Sequence, residues 1–364
     1  MPGTHRLRAL DVFRGLTVAL MILVNCPGGS DVYALLDHAA WNGLTVADLV
    51  FPAFLVIVGV SAVLAQAARL ARGQSAAQIE RHAAARALGL FAFGLLVNAF
   101  IFREPGGGIR FLGVLQRIAL CSMGVSVFLV LDRPALEAPA AALILALYWL
   151  ALTRLSAPGH PAGDLSPEGN VASWLDRTLM GGHMMTPVQD PEGLLATLPA
   201  LATSLLGLVA GRRLVDARAE PRFAATLGAA GLALAAAGWA WSRSFPFNKH
   251  LWTSSYVLTA GGLALAGLAA CLRAFGETPP RAAQPLESLG RHALAAYVLS
   301  GFVYDLLGFL PAGGAHGGLR RRIVAFAFGS WLSPKNAALA FAAAFVLLSA
   351  AAAVAAERRL GRKA

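Results

Sequence analysis

The chain has 364 residues, of which 57% are hydrophobic and 13% charged, and its mean hydropathy is +0.63. A soluble domain carries about twice that share of charged residues, so this composition excludes an ordinary soluble enzyme, a disordered chain and a fibrous repeat. The net charge of +11 does not indicate nucleic-acid binding, because the basic residues form short clusters between apolar runs. The class that remains is a polytopic membrane protein.

Ten apolar stretches of about 20 residues predict helices that cross the bilayer. They cover roughly residues 10–26, 44–66, 85–102, 113–131, 138–153, 194–211, 222–242, 251–275, 289–310 and 336–355. An even number of spans puts both termini on the same side, and the excess of Arg and Lys in the alternate connections predicts that this side is the cytoplasm. The sequence thus predicts a single all-helical membrane domain over residues 1–364, with a long extracytoplasmic loop at about 154–193.

The first predicted helix carries two charged residues near its inner end. Asp11 and Arg14 are three residues apart, a spacing that allows an ion pair on one helix face. Such a pair is either structural or part of a site, because a charge inside a membrane needs a partner. Asn25 is predicted to close the outer end of the same helix.

The connection to the second helix groups a histidine with an aromatic residue, an amide and a carboxylate. His38, Trp41 and Asn42 lie in this loop, and Asp48 lies in the first turn of the helix that follows. A carboxylate at that position caps the helix or orients a catalytic base, and the sequence leaves both roles open.

Later helices add polar residues that are costly in a membrane. Gln116 and Arg117 interrupt the apolar run of the fourth helix, where Arg117 either snorkels to the surface or clamps an anion. The other polar residues at helix ends are Asp190 and Glu192 before the sixth helix, Asn248 and Lys249 before the eighth, and Asp305 near the outer end of the ninth.

In the predicted topology a set of polar residues lies at one depth, at the outer rim of the membrane. The set consists of Asn25, His38, Asp48, Arg117, Asp190, Glu192, Asn248, Lys249 and Asp305. The amino-terminal ends of the even-numbered helices point to the same rim, and their dipoles favour an anion or a developing oxyanion. The sequence therefore predicts a site that opens to the extracytoplasmic side. The outer cluster Arg320–Arg322 runs against the charge rule, and no role for it follows from the sequence.

The cysteines and histidines do not indicate a metal site. Cys26, Cys121 and Cys271 are scattered in or beside apolar segments, which is typical of packing residues. The loop histidines lie in separate connections without the spacing of metal ligands, so no metal is expected.

The most distinctive segment of the sequence is HAAWNGLTVADLVFP at 38–52, within the stretch from Arg8 to Ser61. Further segments are GVLQRIA at 113–119, DPEGLLATLPA at 190–200, FPFNKHLWTSSYVL at 245–258 and LESLGRHALAAYVLS at 286–300. These segments, the last more loosely, resemble the catalytic domain of the heparan-alpha-glucosaminide N-acetyltransferase family.

The resemblance implies a transmembrane acetyltransferase that uses acetyl-CoA from the cytosol and a glucosamine-type amino sugar as acceptor. The family's active-site histidine falls on His38, and a family asparagine falls on Asn25. The bacterial relatives imply a small amino sugar or an envelope glycan as acceptor, and a homodimer is consistent with the family. The compact chain with its short termini predicts a bacterial inner membrane.

The residues fit this chemistry in specific roles. His38 takes the proton of the attacking amine or is itself acetylated, Asn25 holds the thioester oxyanion, and Asp48 orients His38. The predicted acceptor-binding residues are Trp41, Asn42, Asp190, Glu192, Asn248 and Asp305, and the predicted donor-binding residues are Arg14, Gln116, Arg117 and Lys249.

Two other functions compete with this interpretation. A transporter of a small sugar or glycan would be favoured by broken helices and an inverted repeat, and neither is evident in the sequence. A scaffold without catalysis would have no need for so many polar residues at one depth.

Overall fold

A computed structural model describes residues 7–100, 108–217, 222–276, 279–311 and 318–361. These residues contain helices and two isolated β-bridges but no strand. The α-helices in the described ranges are α1 (Arg8–Asn25), α2 (Val50–Leu70), α3 (Ala76–Phe100), α4 (Val114–Leu131), α5 (Pro134–Arg154), α6 (Val171–Met180), α7 (Thr197–Ala217), α8 (Phe223–Trp241), α9 (Ser254–Phe275), α10 (Gln284–Arg291), α11 (Ala293–Phe309), α12 (Leu319–Ala327) and α13 (Pro334–Gly361). The predicted all-helical membrane fold is confirmed.

Each of the ten predicted spans coincides with at least one helix. Eight helices in the described ranges are long and apolar enough to cross a membrane, and a ninth is added when α10 and α11 count as one span. The remaining predicted span is α1, which carries three charged side chains. A count of ten spans therefore depends on α1, whose charges are Arg8, Asp11 and Arg14, and the cytoplasmic position of both termini stays a prediction.

The predicted helix over 289–310 is divided at His292, where α10 and α11 meet at an angle of 77°. The reason is that α10 is polar, with Glu287 and Arg291 among its eight residues, so it does not continue the apolar run. A second addition is α6, which lies inside the predicted loop at 154–193.

By their contacts the residues form two compact units, of which the first consists of Ala39–Leu44 and Phe51–Ala269 in its described part. Within it α3 packs on α4, and α7 packs on α4 and α5. At Gly59 on α2 an added Cβ would lie 2.0 Å from the carbonyl oxygen of Ser204, so α2 and α7 touch through their backbones. This packing holds the positions of α4, which carries Arg117, and of the connection before α7, which carries Asp190 and Glu192.

The second unit consists of the described residues among Arg6–His38, Thr45–Val50 and Ala270–Ala364. Its centre is the packing of α1 against α10. A Cβ on Gly290 would lie 1.9 Å from the carbonyl oxygen of Asp11, so only glycine allows this approach. Helix α13 covers both α1 and α10, and this unit carries the end of α1 and the loop that leads to His38.

Candidate functional site

His38 and Asp48 form a hydrogen-bonded pair in the second unit. The Nδ1 atom of His38 lies 2.8 Å from Oδ1 of Asp48. The carboxylate is fully buried, whereas the His38 side chain is 41% exposed. A buried acceptor on Nδ1 favours the tautomer that carries its proton there and leaves Nε2 unprotonated. This geometry is that of a general base or nucleophile held by a carboxylate.

The local sequence explains how Asp48 is held. Its second oxygen, Oδ2, accepts hydrogen bonds from the backbone N–H and the hydroxyl of Thr45, at 3.1 and 3.0 Å. The Asp48 side chain thus reaches back to the N–H of Thr45, as the acid of a capping box does, and the 3₁₀ turn at Ala47–Leu49 leads from there into α2. Each carboxylate oxygen thus has its own function, so capping and contact with His38 are compatible.

The predicted features of α1 are confirmed in their geometry. Asn25 is the last residue of the helix and is exposed. Arg14 Nη1 lies 2.9 Å from Oδ1 of the buried Asp11 and 3.5 Å from the carbonyl oxygen of Gly290. The ion pair expected from the spacing is present, and it also contacts α10. Binding of a donor by Arg14 stays a prediction.

In the first unit Asn42 and Asn248 hold two distant chain segments together. The two residues form an isolated antiparallel bridge, and Asn248 Nδ2 donates to Asn42 Oδ1 at 3.1 Å. Trp41 stacks on the imidazole of His250, with ring centroids 5.2 Å apart, and its indole N–H donates to the carbonyl of Leu165. Binding of an acceptor by Trp41, Asn42 and Asn248 stays a prediction, and Asn248 is fully buried.

Arg117 is buried with unused hydrogen-bonding capacity. Its side chain is 1% exposed, its guanidinium carbon lies 5.0 Å from the ring centre of Trp252, and Nη2 donates to the Gly193 carbonyl at 3.3 Å. Its Nε and Nη1 atoms, and both amide atoms of the buried Gln116, have no hydrogen-bond partner among the described residues. Because buried donors without partners are costly, Arg117 and Gln116 are suited to receive a polar ligand.

Trp252 is held in a strained conformation below Arg117. Its backbone φ is 54°, a left-handed value that is an outlier for a bulky residue. The indole N–H donates to Thr203 Oγ1 at 3.1 Å, and the ring meets Phe51 edge-on. Such strain persists only where the surroundings enforce it, which is common at binding sites.

Asp190 and Glu192 are already bound by Arg110. Arg110 forms two hydrogen bonds to the Asp190 carboxylate, at 2.9 and 2.6 Å, and a further hydrogen bond to Glu192. Both acids are buried. A direct contact from either acid to the ammonium group of an acceptor stays a prediction, and it would have to compete with Arg110.

The charges around this cluster set the protonation of its acids. Burial alone would raise the pKa of Glu192, but the positive charges of Arg110, Arg117 and Lys249 outweigh burial and lower it. Burial raises the pKa of Asp176, on α6, to about 6, although its carboxylate accepts a hydrogen bond from the Leu194 N–H. The two acids therefore respond differently to pH.

The remaining predicted residues are placed as follows. Lys249 interacts electrostatically with Glu192 in the first unit, and Asp305 interacts with Arg320 in the second. The structure thus groups His38 with Asp48, Asn42 with Asn248, and Lys249 with Glu192. That all these groups share one outer rim stays a prediction.

Four residues of these clusters were not predicted to be part of a site. Thr45 had a local signal, since Thr-x-x-Asp before an apolar run is a capping pattern. Arg110 lies 80 residues from Asp190, and Asp176 lies 18 residues from Leu194, so no local pattern connects them. The left-handed conformation of Trp252 has no signature in the sequence.

The fold and these clusters define an integral membrane protein with buried polar groups and a histidine–carboxylate pair. Residues 6–244 match the family described as heparan-alpha-glucosaminide N-acetyltransferase, catalytic, and the chain belongs to this family. The matched range includes His38, Asp48 and Arg117 but ends before Asn248 and Asp305.

Curated relatives agree with the family match. The chain is 34% identical to the human heparan-alpha-glucosaminide N-acetyltransferase over 314 residues, which is 71% of this chain and 47% of the human protein. It is 34% identical to the mouse protein of the same name over 313 residues. The chain thus spans about half the length of the curated relatives it matches.

Among the residues that the structure describes, no group of three or more His, Cys, Asp or Glu side chains is placed to hold a metal ion. The three cysteines are free and buried, as expected of packing residues.

Proposed function

We propose that the chain is a transmembrane acetyltransferase that moves an acetyl group from cytosolic acetyl-CoA to the amine of a glucosamine-type sugar on the extracytoplasmic side. The observation that carries the proposal is the His38–Asp48 pair, in a chain of the N-acetyltransferase family. A bacterial inner membrane with both termini in the cytoplasm, and a homodimer, belong to the same proposal.

The proposed reaction balances with the groups at hand. The amine nitrogen attacks the thioester carbonyl, the C–N bond forms, and the C–S bond breaks with release of the CoA thiolate. His38 Nε2 takes the proton of the amine, and Asp48 stabilises the imidazolium that results. The amide of Asn25 donates to the developing oxyanion. In the alternative order His38 is acetylated first and the amine attacks acetyl-histidine.

The other polar groups have roles in binding. The donor is bound by Arg117 and Gln116, whose unused hydrogen-bond donors suit its carbonyl or phosphate oxygens, with Lys249 and Arg14 as further cationic contacts. The acceptor is bound by the surface of Trp41, Asn42 and Asn248 and by the acids Asp190, Glu192 and Asp305. The basic loops on the predicted inner side attract the polyanionic coenzyme.

The decisive experiment measures CoA release by the purified protein from acetyl-CoA, with and without glucosamine, for the wild type and His38→Ala. We expect release that requires the amine and falls by roughly 10²–10⁴-fold in the variant. Asp37→Asn is the matched control, because Asp37 is the exposed carboxylate next to His38 and accepts a hydrogen bond from its backbone N–H. Full activity of a folded His38→Ala protein would rule out the assignment of His38.

A transporter is the second candidate, and the bend between α10 and α11 favours it. Transport would appear as uptake of radiolabelled glucosamine into proteoliposomes without CoA release. The amphipathic composition of α10 argues that the bend is a helix at the membrane surface, and not a broken span that lines a translocation path.

A further inference from the structure

The short helix α12 carries the basic cluster that the proposed acetyl transfer does not use. It is anchored in the second unit at its start, where the Leu319 N–H donates to the Leu310 carbonyl at 2.8 Å. Arg320 lies over the ring of Tyr304, with its guanidinium carbon 4.0 Å from the ring centre, and the Tyr304 hydroxyl donates to the Pro27 carbonyl. These contacts fix the direction of α12 relative to α1 and α11.

The next two residues of α12 are also arginines, and they lie at the surface. Arg321 and Arg322 are both exposed, and so is Lys335 at the start of α13. We refer to Arg321, Arg322 and Lys335 as the basic patch. Arginine is suited to phosphate oxygens because its planar N–H groups donate two hydrogen bonds at once.

Large aromatic residues are exposed on the same short segment. Phe326 is one helical turn from Arg322 and is 89% exposed, and Trp331, which follows the helix, is 67% exposed. In water such side chains would be poorly placed, whereas aromatic residues next to cations are typical of the boundary between lipid headgroups and acyl chains. The segment connects α11 to α13, both of which are apolar helices.

Lys335 of the basic patch also lines a small apolar groove. It is lined by the end of α1, by the loop that follows and by the first turns of α13, including Val24, Val32, Leu36 and Leu339. Lys335 is the charged residue in its lining. A groove of apolar side chains with a cation in its wall complements an acyl chain that carries an anionic headgroup.

We propose that the basic patch and this groove form a binding site for an anionic phospholipid, with the phosphate on Arg321, Arg322 and Lys335 and an acyl chain along the groove. The exposed Phe326 and Trp331 hold α12 at the boundary between lipid headgroups and acyl chains. This site uses none of the side chains assigned to the proposed acetyl transfer, and it gives a role to the cluster that contradicts the charge rule.

The test compares lipid retention by native mass spectrometry of the purified full chain, titrated with phosphatidylglycerol or phosphatidylcholine of identical acyl chains. We expect the wild type to retain phosphatidylglycerol preferentially. In Arg321→Gln/Arg322→Gln this retention should fall roughly tenfold to thirtyfold, since each basic residue near an anionic lipid surface contributes about 1 kcal/mol. Glycerol phosphate added in excess should not displace the lipid, because it cannot occupy the groove.

The matched control is Arg358→Gln/Arg359→Gln, which removes the same charge from two exposed arginines near the end of α13. The control should keep the wild-type retention. If the double variant of α12 does not fold, Lys335→Gln should lower retention about fivefold. Equal retention of the two lipids, or an equal loss in the control, would overturn the proposal. A shift from dimer to monomer without a change in lipid retention would also overturn it, since the occupant of this face would then be a second copy of the chain.

Discussion

Two acid-containing clusters among the described residues, that of Asp48 and that of Asp190 with Glu192, both bury their carboxylates but differ in what these acids contact. Asp48 contacts a histidine that is 41% exposed, and its second oxygen is fixed by the main chain of Thr45. Asp190 and Glu192 contact a single, mostly buried arginine. A half-exposed base on a fixed acid can exchange protons with a substrate, whereas a closed ion pair mainly holds chain segments together. Mutation of the His38–Asp48 pair should therefore lower the rate of acetyl transfer, whereas mutation of the Arg110 cluster should lower the stability of the fold.

The largest effect on rate is expected for Asp48→Asn. The amide can keep its oxygen toward the Thr45 N–H, so its NH₂ group faces His38 Nδ1 and enforces the tautomer that is protonated on Nε2. We expect CoA release to fall by roughly 10²–10⁴-fold, as in other enzymes whose orienting aspartate is replaced by asparagine. The melting temperature in detergent should change little. A loss of activity that only follows a loss of folded protein would contradict the distinction between the two clusters.

The largest effect on stability is expected for Arg110→Met. The substitution leaves two buried carboxylates without their cation, which typically costs about 3–5 kcal/mol in the free energy of unfolding. Thermal unfolding in detergent measures this loss. The control is Arg243→Met, because Arg243 is exposed and lies over the exposed ring of Trp239, and should cost less than about 1 kcal/mol.

A triple variant tests whether the stability lost in Arg110→Met is due to the unpaired charges of the two acids. In the triple variant Arg110→Met/Asp190→Asn/Glu192→Gln the unpaired charges are removed, so part of the stability should return. If the triple variant is less stable than Arg110→Met alone, the acids are stabilised by groups other than Arg110, and the comparison with Asp48 loses its basis.

The sequence predicted the helices and the local pairs better than the long-range contacts. Apolar runs indicated every span, and the spacing of Asp11 and Arg14 indicated their ion pair, because both signals lie within a few residues. The division at His292 was missed because the apolar run begins inside α10, whose polar residues pack on α1. Arg110 was missed because its partner lies 80 residues away, and only the packing of the helices brings the two together.

A pH dependence follows from the acid cluster. Burial raises the pKa of Asp176 to about 6, above its value of about 3.9 in an unfolded chain. Between these values the folded state binds more protons than the unfolded state, so stability should fall as the pH rises from about 4 to 6, by on the order of 2 kcal/mol. Asp176→Asn keeps an oxygen for the Leu194 N–H and should abolish this fall. Melting temperatures of both proteins across this pH range measure the effect, and parallel curves would contradict it.

The smallest effect is expected for substitution of Thr45, which binds one oxygen of the Asp48 carboxylate while the other oxygen contacts His38. Thr45→Val removes the hydroxyl that donates to Oδ2 but keeps the backbone N–H that donates to the same oxygen. We expect a loss of about 1 kcal/mol in stability and a decrease of a few-fold in CoA release, because one of two hydrogen bonds still holds the carboxylate. Thr45→Ser keeps the hydroxyl and should behave like the wild type.

A rate for Thr45→Val as low as that for Asp48→Asn would mean that the side chain of Thr45, rather than its backbone N–H, fixes the Asp48 carboxylate. The orientation of His38 would then depend on a single hydroxyl, and the rigidity that distinguishes this pair from the Arg110 cluster would have to come from elsewhere.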